Sequence, residues 1–183
     1  MFQESCIKMR NAKGFTLIDP LIVMAIIGII VTIAVPGLLR ARMSGSEASA
    51  IGSLRAINNG QASYSSSCAA GGYAITLEDL VKAPAHSTHG FISPDLYANG
   101  VIKNGYTVTL AKEAGAVDIG TGATTCNASA SNPASSYFAK ADPVTAGATG
   151  TRYFGTDTRG TIFFNTAAPL VNPIDATTTS VVR

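Results

Sequence analysis

The sequence predicts an α+β fold, in which one long N-terminal helix, apolar in its first half and amphipathic in its second, packs on a C-terminal antiparallel β-sheet. Three observations predict it. From Phe15 to Val35 the only charged residue is Asp19. Beyond that run Ala50, Ile51, Leu54 and Ile57 recur at helical spacing. Between residues 104 and 165 short β-branched and aromatic runs alternate with Gly and Asn turn signals.

The apolar run justifies a membrane helix. At ~1.5 Å rise per residue it reaches about 30 Å, the thickness of a bilayer's hydrocarbon core. A carboxylate inside such a run costs roughly 2.5–3.5 kcal/mol by insertion scales, so Asp19 calls for a cation. The run itself holds none. Cutting the chain between Gly14 and Phe15 would create one, the α-amino group of Phe15, in the same chain or a neighbouring one.

A short basic leader ending in Gly14, Phe15 after it, an acid at Asp19, an apolar helix containing Gly28 and Pro36 closing the run together resemble the N-terminal segment of type IV pilins and the related type II secretion pseudopilins. The combination is specific, whereas each residue alone is weak. The resemblance implies that a membrane prepilin peptidase cuts after Gly14 and methylates the Phe15 amine. It implies next that the mature subunits, held in membrane lipid beforehand, are assembled by inner-membrane machinery into a helical filament through Phe15, Asp19, Gly28 and Pro36. The expected division is a leader over 1–14, a membrane and filament-core helix over 15–36, its amphipathic continuation over 37–64 and a pilin-like head over 65–183. Met9 as an alternative start would give a leader of the length usual in this family.

Two residues depart from the family pattern. Asp19 stands where Glu is usual, one methylene shorter, so pairing with an amine needs closer approach. Pro20 stands where an apolar residue is usual. Proline lacks an N–H and costs about 3 kcal/mol in a helix interior but little in the first turn. The expectation is an irregular or kinked helix start at Pro20.

Charge excludes one class of partner. Of 13 basic and 11 acidic residues, Lys8, Arg10, Lys13 and Glu4 precede Phe15, which leaves ten of each in the mature chain. A neutral chain offers no phosphate-binding field, so nucleic acid is not expected as a partner. The basic leader favours a cytoplasmic start and a translocated remainder, a count that Arg40 and Arg42 weaken. Loss of Cys6 with the leader would leave Cys68 and Cys126 as a pair in an oxidising compartment, where they are expected to be bridged. Two free, separately buried thiols are the alternative.

After the membrane segment the helical signal runs from Gly37 to about Tyr64, with Arg42, Glu47 and Arg55 expected off the apolar stripe. Gly45, Gly52 and Gly60 each weaken this helix by ~1 kcal/mol relative to Ala. Ser65 to Gly72 reads as a loop. Thr76-Leu77-Glu78-Asp79 opens a short capped helix, and Ser93-Pro94-Asp95-Leu96 repeats the pattern with Ser as cap. Asn104-Gly105 leads into a strand over Tyr106–Leu110, and Ser136–Lys140 is a second. Thr151–Gly155 and Thr161–Asn165 form the clearest hairpin. Each adjacent aromatic pair should send one ring toward the helix and one outward, where a neighbouring subunit could meet it. Ala114–Asn132 is a Gly/Ala/Ser/Thr loop without apolar bulk for a core, and Ala167–Arg183 is a loose surface segment or an edge strand.

No constellation supports catalysis, and no cofactor is expected. His86 and His89 lie three apart in a Pro/Ser/Thr loop with no third ligand at metal spacing. Gly120-Thr121-Gly122 lacks the setting of a dinucleotide or phosphate loop and reads as a flexible linker. Asp157 suits a turn, with calcium the lesser alternative. The leading expectation is a structural subunit of a type IV pilus. Two alternatives stay open here, a type II secretion pseudopilin acting in a short periplasmic piston and an unprocessed membrane-anchored binding domain.

Overall fold

The computed structural model describes residues 16–177 and 179–182. Its contacts divide the chain into two units, Met1–Leu38 and Leu39–Arg183. The first helix, α1, covers Ile18–Ser67 and contributes to both. Pro20 is its third residue, inside the first turn, where the missing N–H has no intrahelical partner to lose. Pro36 closes the apolar run but not the helix, which continues through it. The helix also takes in Ser65–Ser67, expected as loop, and there Ser66 and Ser67 turn their hydroxyls back onto the Ser63 carbonyl.

In the second unit α1 buries Glu47, Ala50, Ser53, Leu54, Ile57, Gly60, Gln61 and Tyr64, steps of three and four that define one helical face. Glu47 thus lies on the buried face, not off it as the sequence suggested. The opposing layer is a six-stranded antiparallel meander in the order β1 to β6: Val101–Lys103, Tyr106–Lys112, Tyr137–Pro143, Tyr153–Asp157, Ile162–Asn165 and Ser180–Val181. The registers Val108↔Ala141 and Phe154↔Phe164 set Val108, Leu110, Ala139 and Phe154 into one core with Leu54, Ile57 and Tyr64. Strand β1 was not foreseen; with only three residues it carries too little periodicity to read.

The aromatic pairs do split between the two faces. Tyr137 and Phe154 join the helix-side core, while Phe138 and Phe163 lie on the other face. There the outward rings do not await a neighbour. The chain's own C-terminal segment covers them with Leu170 and Ile174, so the tail is neither loose nor merely an edge. Arg159 Nη2 donates to the Ile174 carbonyl at 3.2 Å, and Asn172 accepts from Ala114 N–H at 2.8 Å and donates to the Lys112 carbonyl at 2.9 Å. Strand β6 then pairs with β5.

The remaining segments frame the end of α1. Thr76 caps the short helix α2, Leu77–Val81, by accepting from the Asp79 N–H. Pro94–Leu96 is a 3₁₀ turn in which Ser93 occupies the cap position but makes no side-chain capping bond. Gly60 faces Phe91 and Ile92 so closely that an added Cβ would fall 2.4 Å from the Ile92 Cγ2. That contact explains a glycine in the middle of the buried face.

Candidate functional site

The segment singled out by the sequence begins at the limit of the described residues. Gly14, Phe15 and the leader 1–14 lie outside them. Asp19 is described, and its carboxylate turns back on the chain: Oδ2 accepts from Thr16 N–H at 3.2 Å and from Thr16 Oγ1 at 2.8 Å. The Thr16 carbonyl in turn accepts from Asp19 N–H. This satisfies free donors at the helix start and places negative charge at the positive end of the helix dipole. Sequence reasoning passed over Thr16, although Thr-x-x-Asp before an apolar run is a capping signature.

From Leu17 to Leu39 the large apolar side chains are exposed, from 91% at Leu17 to 44% at Val35. By length and composition this part of α1 can cross a bilayer. Gly28 has open space where a Cβ would stand, and Ala25, Gly28 and Thr32 follow one another at helical spacing, a run of small residues that permits close helix approach. Thr32 Oγ1 donates to the Ile29 carbonyl at 2.7 Å and lies 3.3 Å from the Gly28 carbonyl. Its hydroxyl is therefore satisfied within the helix. Pro36, lacking an N–H, cannot donate to the Thr32 carbonyl one turn earlier.

In the second unit Cys68 and Cys126 are bridged, with their Cα atoms 4.7 Å apart. The bridge holds the Ser/Thr/Ala loop to the end of α1, and a buried polar network that the sequence did not reveal supports it. The Tyr64 and Ser129 hydroxyls lie 2.6 Å apart. Ser129 Oγ donates to Asn127 Oδ1 at 2.8 Å, and Asn127 Nδ2 donates to the Asp79 carbonyl at 2.7 Å. The Asp79 side chain, 2% exposed, accepts the backbone N–H of Ala130 and Ser131 at 2.7 and 3.2 Å. Burial raises the Tyr64 phenol above its ordinary range, so it stays a neutral donor. Asp79 in α2 thus ties the loop that the disulfide also ties.

Glu47 supplies the other long-range polar tie. Burial alone would raise its pKa, but the Thr151 N–H, the Arg152 guanidinium and the Thr151 hydroxyl outweigh this and hold it below the usual glutamate range. Arg152 also lies over the rings of Phe154 and Phe164 at 5.4 and 5.3 Å.

The remaining candidates are His86, His89, Asp157 and Gly120–Gly122. His86 and His89 lie in an exposed loop, where His89 Nδ1 is 2.8 Å from Thr88 Oγ1. Asp157, expected in the turn, is the buried last residue of β4 and is gripped by Arg159 of the following turn through Nε and Nη2 at 2.9 and 2.5 Å. Among the described residues no group of three or more His, Cys, Asp or Glu is placed to hold a metal. Gly120–Gly122 is not a flexible linker: Gly122 opens a 3₁₀ turn and is buried, and its N–H donates to Asn132 Oδ1 at 3.1 Å. An added Cβ would meet the Ser129 carbonyl oxygen at 2.2 Å.

A stretch of 39 residues is 56% identical to the type IV wide pilus major component PilA4 of Thermus thermophilus, covering 21% of this chain and 30% of that protein. The chain therefore spans under a third of that relative's length. The identity supports a type IV pilin family and does not reach the pseudopilins. No family model matches, and no solved structure matches.

Proposed function

We propose that the chain is a non-catalytic structural subunit of a type IV pilus. In this reading a prepilin peptidase removes residues 1–14, the Phe15 amine is methylated, and the apolar part of α1 holds the subunit in the inner membrane. Assembly machinery then lifts subunits into a filament at the cell surface, where the same side chains exchange lipid for one another. The observation that carries the proposal is the exposed apolar surface from Leu17 to Leu39. Surface of that extent needs lipid or like helices around it. The match to a pilus major component supports the same reading.

Mass spectrometry of the chain purified from membranes tests it. The expected product begins at methylated Phe15. A chain retaining its leader would overturn the proposal and leave a membrane-anchored head instead.

A further inference from the structure

We infer that Arg40 and Arg42 bind the anionic headgroups of phospholipids in the leaflet nearest the C-terminal end of the apolar segment. The inference rests on the membrane reading above. Residues 17–38 span about 33 Å along a helix, slightly more than a hydrocarbon core. A segment that fills the core brings residues 40 and 42 into the phosphate layer on its far side. Both side chains are exposed, and no described residue pairs with either guanidinium. The nearest acid along α1, Glu47, is already taken by Arg152.

Two positions apart on a helix, the arginines point to different sides, so each reaches its own lipid. Guanidinium groups match phosphate oxygens in a bidentate fork. The same helix carries an internal control. Arg55 is likewise exposed and without a partner among the described residues, but stands about 20 Å farther along the axis than Arg42. That is beyond the ~8 Å over which physiological salt leaves a surface charge effective.

The test uses the full chain in phosphatidylcholine bilayers containing phosphatidylglycerol. Spin-labelled phosphatidylglycerol and phosphatidylcholine report which lipid is immobilised at the protein. Lys8, Arg10 and Lys13 contribute alike to every variant, so differences between variants carry the result. The double variant R40Q/R42Q is expected to lose several-fold preference for phosphatidylglycerol, up to roughly five-fold per arginine. R40K/R42K should keep most of it, and R55Q all of it. Inorganic phosphate at matched ionic strength should leave the preference intact; its loss there would mean a site for free phosphate and overturn the inference. An unchanged preference in R40Q/R42Q, or an equal loss in R55Q, would also overturn it. So would a double variant that alters only association between copies, which would assign the arginines to a second subunit. A chain that fails to enter the bilayer would sink the membrane reading and this inference together.

Discussion

Glu47 on α1 and Arg152 immediately before β4 meet across 105 positions of sequence, with Arg152 Nε and Nη2 at 2.8 and 2.6 Å from one carboxylate oxygen. The second oxygen accepts the Thr151 N–H and hydroxyl at 2.8 and 2.9 Å. One side chain thus fixes the axial position of the helix against the sheet.

Replacing Glu47 by Gln should lower the stability of the second unit by about 1.5–3 kcal/mol, the range for hydrogen bonds to a charged group. Because folding lowers the pKa of this carboxyl, its stabilisation is full above the ordinary glutamate value of about 4.3 and fades as pH falls through the lower folded value. Denaturant melts of both proteins between neutral and acid pH should show the difference shrinking below about pH 4. A difference constant down to acid pH would refute the ion-pair account.

Two glycines of the same helix should respond with opposite sign. Gly52 faces open space, so Gly52→Ala should stabilise the subunit in detergent by about 0.5–1 kcal/mol through helix propensity. Gly60→Ala forces a methyl group against Ile92 and the Phe91 carbonyl, and overpacking of this kind costs about 1–3 kcal/mol. Paired thermal melts decide it; equal shifts would mean the contact with residues 91 and 92 relaxes freely.

Leu170→Ala should cost about 2–5 kcal/mol by the usual loss for a buried leucine and uncover Phe138 and Phe163. Increased binding of a hydrophobic dye, alongside a lower melting point, would register the exposed rings. Wild-type values for both would show that the tail packs only passively.

Asp19→Ala should leave membrane insertion intact while filament yield falls, since the carboxylate is then absent both from the helix start and from any pairing between subunits. Thr16→Val separates these roles. It removes only the hydroxyl bond of 2.8 Å, with a loss of about 1 kcal/mol in helix-start stability and near-normal filament yield. Unaltered yield in Asp19→Ala would refute an assembly role.

Much of this architecture was legible because its signals are local in sequence. The 50-54-57 spacing follows the helical repeat, the apolar run declares itself by its unbroken length, and the Asn104-Gly105 turn by two residues that accept positive φ. What stayed hidden depends on contacts between distant residues. Glu47 looks like a surface charge until Arg152 arrives beside it, and Ser129 and Asn127 look like loop filler until Tyr64 of α1 and Asp79 of α2 supply their partners. The tail looks loose because Pro169 flanks and Pro173 separates its two anchors, Leu170 and Ile174, and these prolines deny them a regular element. Thr16 was readable from its capping pattern but was overshadowed by the charge of Asp19.

The strap formed by residues 167–174 also sets an order of events. It follows β3, β4 and β5 in sequence, so a ribosome delivers those strands first. Until residues 167–174 emerge, Phe138 and Phe163 stand bare on a nascent sheet. Deleting residues 167–174 would therefore strip a protective cover from Phe138 and Phe163, and poor yields of such a variant would reflect sticky intermediates.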